Sequence, residues 1–510
     1  MVRRASFARA VALALVAAAG PFAGGGAAKG QISGPVGPAF PFEDPTDDSF
    51  TDPALAKHTP RAVVDYRSYF QNWRLYTDDH VTLFAVSRHG LAMRRFSATT
   101  GAWNDWTHLG NSTSPAFTPQ QWDIQLPVVQ ASMSGAPRLR AFFAFGGGPG
   151  VNFVGRPRLD GPAYPASTYA YDQQAAPAGA VLGSSSDGDY FNPQTTLTYL
   201  EAGTQRRIHV FGNAAREGKP TSSLARYPLI EHFYNGTAWS FTVHPMPANL
   251  GMTQAKAVVC GPQSACTVYL SPGADMRHFV FAKVDYVAED KLMYRFWNGS
   301  AWSWQDLGSP NATKMEGGPV AYTYYDSANS RFKMSVFVVA RGPQNDFRLF
   351  ERHWVGSAAG GSWGGWQDYG VAPGVPSGVE YEMTSAAVWY DGSSSNGGNL
   401  RINLFGYTGR KPSANPPFGR QLLHFYWNGA SWNWGGLDPL PIQEEFYTTG
   451  SAVIDRGTYD RISVFGRSSS GKVWERAYTI QNGVHNGWVW NDLSYEPLFR
   501  VIRQPSLLFP

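Results

Sequence analysis

One aromatic phrase recurs along this chain and limits what it can fold into more than any other feature. It reads FYNGTAWSF at 233–241, FWNGSAWSW at 296–304 and YWNGASWNW at 426–434, with looser copies at 96–106, 353–366 and 477–490. Upstream of each lies an alternating segment that ends in Phe: VTLF (81–84), RIHVF (207–211), RHFVF (277–281), KMSVF (333–337), RINLF (401–405) and RISVF (461–465). A degenerate copy pairs RLRAFF (138–143) with TYAYDQQAAPAGAVLG (168–183). Aligned on the closing Phe (84, 143, 211, 281, 337, 405, 465), the copies are spaced 59, 68, 70, 56, 68 and 60 residues apart. A fixed period of this kind is the signature of a repeat architecture.

Each unit reads as four strands: a small or apolar segment such as GGPVAYTYY (317–325), the VF strand, the aromatic strand and a Trp-x-Trp strand. Asn-Gly between the last two suits a tight hairpin turn, where φ is positive. No 3.6-residue periodicity appears after the N-terminal segment. A lone antiparallel unit cannot cover both its apolar faces, but radial packing buries each face against a neighbour. The expected fold is all-β, a seven-bladed β-propeller of four-stranded antiparallel blades over 61–495. Residues 29–60 read as an N-terminal arm and 496–510 as a C-terminal extension. A pair of β-sandwiches is the alternative, but no linker divides the chain into halves.

Arg3, Arg4 and Arg9 precede the apolar run 10–19, and small residues follow to Ala28, the pattern of a secretory signal peptide over 1–28. The apolar run is too short to span a bilayer, and no later segment is long enough to do so. Cleavage near Ala28 removes three arginines and no acid, taking the net charge from +4 to +1. So small a balance gives no support to nucleic acid as a partner. The mature chain is expected to be secreted, extracellular or periplasmic, where Cys260 and Cys266 would form a disulfide closing a short loop. A metal site on those two cysteines lacks further ligands nearby.

The unit seen in RFWNGSAWSWQDLG (295–308) and RRFSATTGAWNDWTHLG (94–110) resembles the repeat of seven-bladed bacterial lectins of the Photorhabdus lectin type. The resemblance extends over most of the mature chain, although the repeats here are irregular and carry long insertions. It implies a propeller fold and sugar binding.

Propeller topology sorts the connections onto two ends. The loops joining second to third strands are long: 146–166, 213–229 and 407–421. They carry Arg156, Arg158, Arg216, Lys219, Arg226, Arg410, Lys411 and Arg420, suited to carboxylated or sulfated glycans or simply to solvation. On the same end, the segments entering each first strand bring Trp122 and Asp123, Asp189 and Tyr190, Glu316, Tyr381 and Glu382, and Glu445 and Tyr447 to the axial mouth. Aromatic rings stack on a pyranose face while carboxylates accept hydrogen bonds from its hydroxyls, so these are the expected ligand-binding residues. Capping of strand ends is the competing explanation.

A further column, Arg95, His232, Arg295, Arg352, Phe425 and Arg476, recurs in the third strands beside Tyr234, Trp297, Trp354, Trp427 and Tyr478. Arginine stacked on rings and bonded to carbonyls is a sufficient structural reason for it. If those rings reach inter-blade grooves, they become the repeated sites that the lectin resemblance implies.

No HExxH pattern or GxSxG elbow occurs, so neither a metal, a cofactor nor a hydrolase triad is called for. His232, His353 and His424 read as core imidazoles. Two functional classes remain in view. One is a glycan-binding propeller recognising its ligand at the loop-rich face. The other is a carbohydrate-active enzyme on the same scaffold, a glycoside hydrolase using two mouth carboxylates or a polysaccharide lyase using Arg or Lys with Tyr or His. A protein-interaction propeller ranks third.

Overall fold

The computed structural model describes the chain from 63 to 494, apart from connecting segments of which 67–78, 109–127, 161–169, 176–188, 217–228, 261–276 and 411–418 are the longest. The expected signal peptide, N-terminal arm and C-terminal extension, and Trp122, Asp123 and Cys266, lie outside the described residues.

Five four-stranded sheets follow one another over 189–244, 251–308, 315–368, 381–438 and 446–492, here numbered sheets 4 to 8. In each, the strands pair antiparallel in chain order, as the repeats require. Sheet 1 (63–108) follows the same order and gains a short extra strand, Thr107–His108, on its third. The degenerate second unit departs from expectation. Ala136–Ala141 belongs to sheet 2 and Phe143–Gly146 to sheet 3, so RLRAFF is divided between two small sheets. The physical reason is the insertion after it, which supplies strands of its own, Asn152–Gly155 and Pro157–Asp160, one to each sheet.

The Asn of each described third-to-fourth turn works as its sequence suggests. Asn428 Oδ1 accepts bonds from the backbone N–H of Ala430 and Ser431, both 2.9 Å, and Gly429 takes φ +102°. Asn235 Oδ1 likewise accepts from Thr237 and Ala238. At the opposite end of sheets 4 to 8, the first strand bulges at one place, for example between Met383 and Ser385 and between Thr448 and Gly450. A bulge bends and twists the strand.

Packing between sheets explains why Phe and Trp repeat together. Phe211, Phe281, Phe337, Phe405 and Phe465 are fully buried. Each receives, edge-on, the first Trp of a neighbouring fourth strand: Trp302 on Phe211, Trp363 on Phe281, Trp432 on Phe337 and Trp488 on Phe405, with centroids 5.4–6.0 Å apart. The wedge crosses from each sheet to the one before it. Trp103 of sheet 1 makes the same contact with Phe465 of sheet 8, at 5.7 Å and 88°. Edge-to-face pairs of this kind contribute about 0.5–1.5 kcal/mol beyond the area they bury. The apolar clusters accordingly lie between sheets. First strands of successive sheets from 4 to 8 also touch, and that of sheet 8 touches that of sheet 1.

Buried acids stand beneath three of the wedges. Glu475 accepts bonds from Ser463 (2.6 Å), Arg461 (2.8 Å) and Trp103 Nε1 (2.9 Å). Glu351 accepts from Ser335 and Tyr369. Glu231 lies between His209 and His244, the latter 2.7 Å away. Burial alone would raise the Glu231 carboxyl, but hydrogen bonds and charge from the two imidazoles overcome it and hold the pKa far below the usual range. Buried carboxylates that keep several partners serve as posts that fix one strand register.

Candidate functional site

Antiparallel order places two sets of residues at opposite ends of the sheets. The segments entering first strands lie at one end, and the Asn-Gly turns lie at the other.

At the first end, Glu316, Glu382 and Glu445 occupy the starts of sheets 6, 7 and 8. Glu382 folds over Gly317, where a Cβ would come within 2.5 Å of its Oε2; Gly317 also has φ +64°. Burial, then the Glu380 charge, raises the Glu316 carboxyl, while Lys283 and Arg341 act in the other direction. Arg341 reaches Glu380 at 3.8 Å, and Arg410 pairs with Glu445. Much of the charge at this end is therefore neutralised within the protein.

Tyr381, expected at the mouth, is a correction. Its ring is 2% exposed and turns into the core between sheets 6 and 7, edge-on to Trp434 at 6.1 Å. The alternation of the strand puts it on the apolar face, so it presents no surface to a sugar, and burial raises its phenol pKa far above the ordinary value. Asp189 and Tyr190 begin the first strand of sheet 4, and Tyr447 lies in the first strand of sheet 8. Of the basic loop residues, Arg156, Lys219, Arg226 and Lys411 lie outside the described residues.

The arginine column behaves as the structural explanation requires. Arg295 lies over Trp304 at 5.4 Å, Arg476 over Trp490 at 5.2 Å and Arg352 over Trp366 at 5.8 Å. Arg352 also donates to the carbonyls of Gly364 and Leu307.

At the other end, a cavity of about 420 Å³ opens between sheets 7 and 8. Its aromatic walls are Tyr426, Tyr478 and Trp488, with Trp427 at its edge while that ring packs between sheets 6 and 7, and its polar groups include Arg401, Asn403, His424 and His485. His424 is held among three rings, Phe405 at 4.8 Å, Tyr426 at 4.9 Å and Trp488 at 5.4 Å. Burial pushes its pKa down to about 3, so the imidazole is neutral at physiological pH. A neutral imidazole with Nε2 2.9 Å from Asn403 Oδ1 donates there, which turns the Asn403 amide N–H groups away from His424. Across the groove, the Tyr478 phenol and His485 Nδ1 are 2.6 Å apart. This pair stands at the outer rim, with His485 exposed and Tyr478 half-buried against Trp488.

Sequence reading singled out Trp427 and Tyr478 but neither Asn403, Tyr426, His485 nor Trp488. His424, read as a core imidazole, is packed among rings and bonded to Asn403 with one edge on the cavity, whereas His353, also read as core, is exposed. The available signal was positional. Asn403 occupies the centre of RINLF, where the corresponding residue of RHFVF is Phe279, and His485 falls where sheet 6 has a glycine.

No family model matches the chain, and no curated protein does. Among solved structures it is similar to an ulvan lyase bound to a glucuronate–sulfated rhamnose fragment, at 12% identity and TM-score 0.39, covering 71% of this chain and 83% of that one. It is also similar to the α-L-arabinanase of Penicillium chrysogenum, at 14% identity and TM-score 0.39, covering 74% and 95%. A periplasmic gluconolactonase of Pseudomonas aeruginosa aligns at 12% identity and TM-score 0.32 over 81% and 99%. The chemistry of the cavity is read from its own residues.

Proposed function

We propose that this protein is an exported, carbohydrate-active seven-bladed β-propeller that takes a glycan into the groove between sheets 7 and 8. The observation that carries the reading is the cavity itself: rings at Tyr426, Tyr478 and Trp488 beside hydrogen-bonding groups at Arg401, Asn403 and Asn428. A pyranose needs both, an apolar face to stack on and polar edges to satisfy its hydroxyls. Support for ring closure comes from the Trp103–Phe465 wedge, which repeats between sheets 1 and 8 the contact that joins sheets 4 to 8. Export rests on the N-terminal segment alone, and mass spectrometry of a secreted form beginning near residue 29 tests it.

An enzyme on this scaffold is favoured over a multivalent lectin by one observation. Among the described residues, the groove between sheets 5 and 6 does not carry the residues of the groove between sheets 7 and 8, which is unlike the repeated sites that avidity needs. Titration of the protein with soluble polysaccharides tests the groove. The double variant Tyr426→Ala/Tyr478→Ala is expected to weaken binding by at least tenfold, about 1.4 kcal/mol. Unchanged affinity would rule the groove out.

A further inference from the structure

The groove contains the groups needed to break a glycosidic bond next to a uronate. We propose, resting on the glycan reading above, that it catalyses β-elimination on a uronate-containing polysaccharide. Arg401 carries a permanent cation into the cavity, and the Asn403 amide adds N–H donors whose direction is set by its bond with His424. An amide and a guanidinium together suit a sugar carboxylate rather than a neutral hydroxymethyl group. Held between them, the carboxylate loses negative charge, and the adjacent C5 proton becomes removable.

Tyr478 and His485 supply the proton traffic. The His485 imidazole takes the C5 proton at Nε2 while its Nδ1–H donates to the Tyr478 oxygen, and the electrons of the C5–H bond form the C4–C5 double bond. The C4–O4 bond breaks, and the departing oxygen takes the Tyr478 phenolic proton. Transfer of the Nδ1 proton across the 2.6 Å contact then neutralises the phenolate, so both groups end uncharged, with the remaining imidazole proton on Nε2. No water, metal or oxidant enters the balance. Tyr426, which packs on His424 along the groove, would support a sugar ring beside the cleaved bond.

The two sheets divide the work. Sheet 7 provides the carboxylate pocket through Arg401, Asn403 and His424, and sheet 8 provides the acid and base through Tyr478 and His485. His424 touches no reacting atom in this scheme. It is a positioning residue that orients Asn403.

Full-length protein is incubated with polygalacturonate, alginate, hyaluronan and, as neutral controls, arabinan and xylan. Ultraviolet absorbance of the conjugated uronate product and reducing ends are followed, and binding of each polymer is measured separately by calorimetry. A uronate polymer is expected to yield both signals and the neutral polymers neither. Tyr478→Phe and His485→Gln are each expected to slow product formation by about 10²–10⁴-fold, the usual contribution of a positioned acid or base, while thermal melting and binding stay near wild type. His424→Phe is expected to raise KM more than it lowers kcat. Binding of a uronate polymer without absorbance, reducing ends without absorbance, or full activity in both Tyr478→Phe and His485→Gln would overturn the elimination while leaving glycan binding standing. Failure to bind any polysaccharide would overturn both.

Discussion

The groove between sheets 5 and 6 and the groove between sheets 7 and 8 are built on one register and filled in opposite ways. In the first, Trp354 is buried against Phe279 and Phe296, and its ring lies over Gly356 and Gly361. A Cβ at either glycine would come within 2.1 Å of the indole. In the second, the corresponding third-strand residue is Tyr478, and the paired positions Gly356 and Gly361 become Ile480 and His485. Phe279 becomes Asn403, Phe296 becomes Tyr426 and Tyr294 becomes His424. Only the wedge is retained, Trp363 on Phe281 in one and Trp488 on Phe405 in the other. A site can therefore be opened by polar substitution between wedges without dismantling the contacts that hold sheets together. The lesson is that the scaffold separates its adhesive positions from its variable ones.

The largest effect is expected where the groove is closed. Trp354→Ala leaves a cavity under an otherwise packed interface and should cost about 3–5 kcal/mol, read from the urea midpoint. Tyr478→Ala, at the same register in the open groove, should cost less than half as much, and equal losses would end the contrast.

A second test transplants the closed chemistry. Asn403→Phe with His424→Tyr copies Phe279 and Tyr294 and should reduce glycan binding at least tenfold, about 1.4 kcal/mol, with stability unchanged or raised. Making both changes avoids leaving either polar partner buried alone. Retained binding would show that the cavity is not where the glycan sits.

Acid should separate the open groove from the posts. His424 has its pKa lowered to about 3 from 6.5, so the unfolded chain takes up a proton before the folded one does. Its contribution is complete above pH 6.5 and is lost as pH falls toward 3, and the His424→Phe variant should show a shallower decline of melting temperature across that window. Glu231 behaves differently. Its pKa lies far below the ordinary 4.5, so its contribution is complete above 4.5 and declines progressively below it, over a lower window than that of His424, until the folded carboxylate is itself protonated. Glu231→Gln should therefore be less stable than wild type at neutral pH and converge with it only in strong acid.

The smallest effect is expected at the opposite end. Glu316→Gln with Glu382→Gln should change glycan affinity by under about 0.5 kcal/mol, as for surface changes away from a site. A loss as large as that from Tyr426→Ala/Tyr478→Ala would return the site to the mouth.

Much of the strand order is legible in the sequence. Among the described residues, the VF segments, the Asn-Gly turns and the Trp-x-Trp segments fall where the repeats place them, because alternation and turn chemistry are local properties. The second unit was misread as one sheet because the partners of its insertion are set by tertiary pairing. Tyr381 was misassigned for a related reason. A register one residue different sends a side chain to the other face, and the bulge between Met383 and Ser385 adjoins it.

What the chain declared by itself was the recurring Phe and Trp, hence a series of like sheets that must cover one another. Their period and alternation are written along the backbone and need no neighbour to be seen. What the tertiary structure alone decided was which groove stays open. Tyr478 and His485 share a hairpin, but Asn403 and His424 come from another sheet, and the space between them exists only after the sheets have packed. A cavity is the volume left by residues distant in sequence, so no pattern along one strand can announce it.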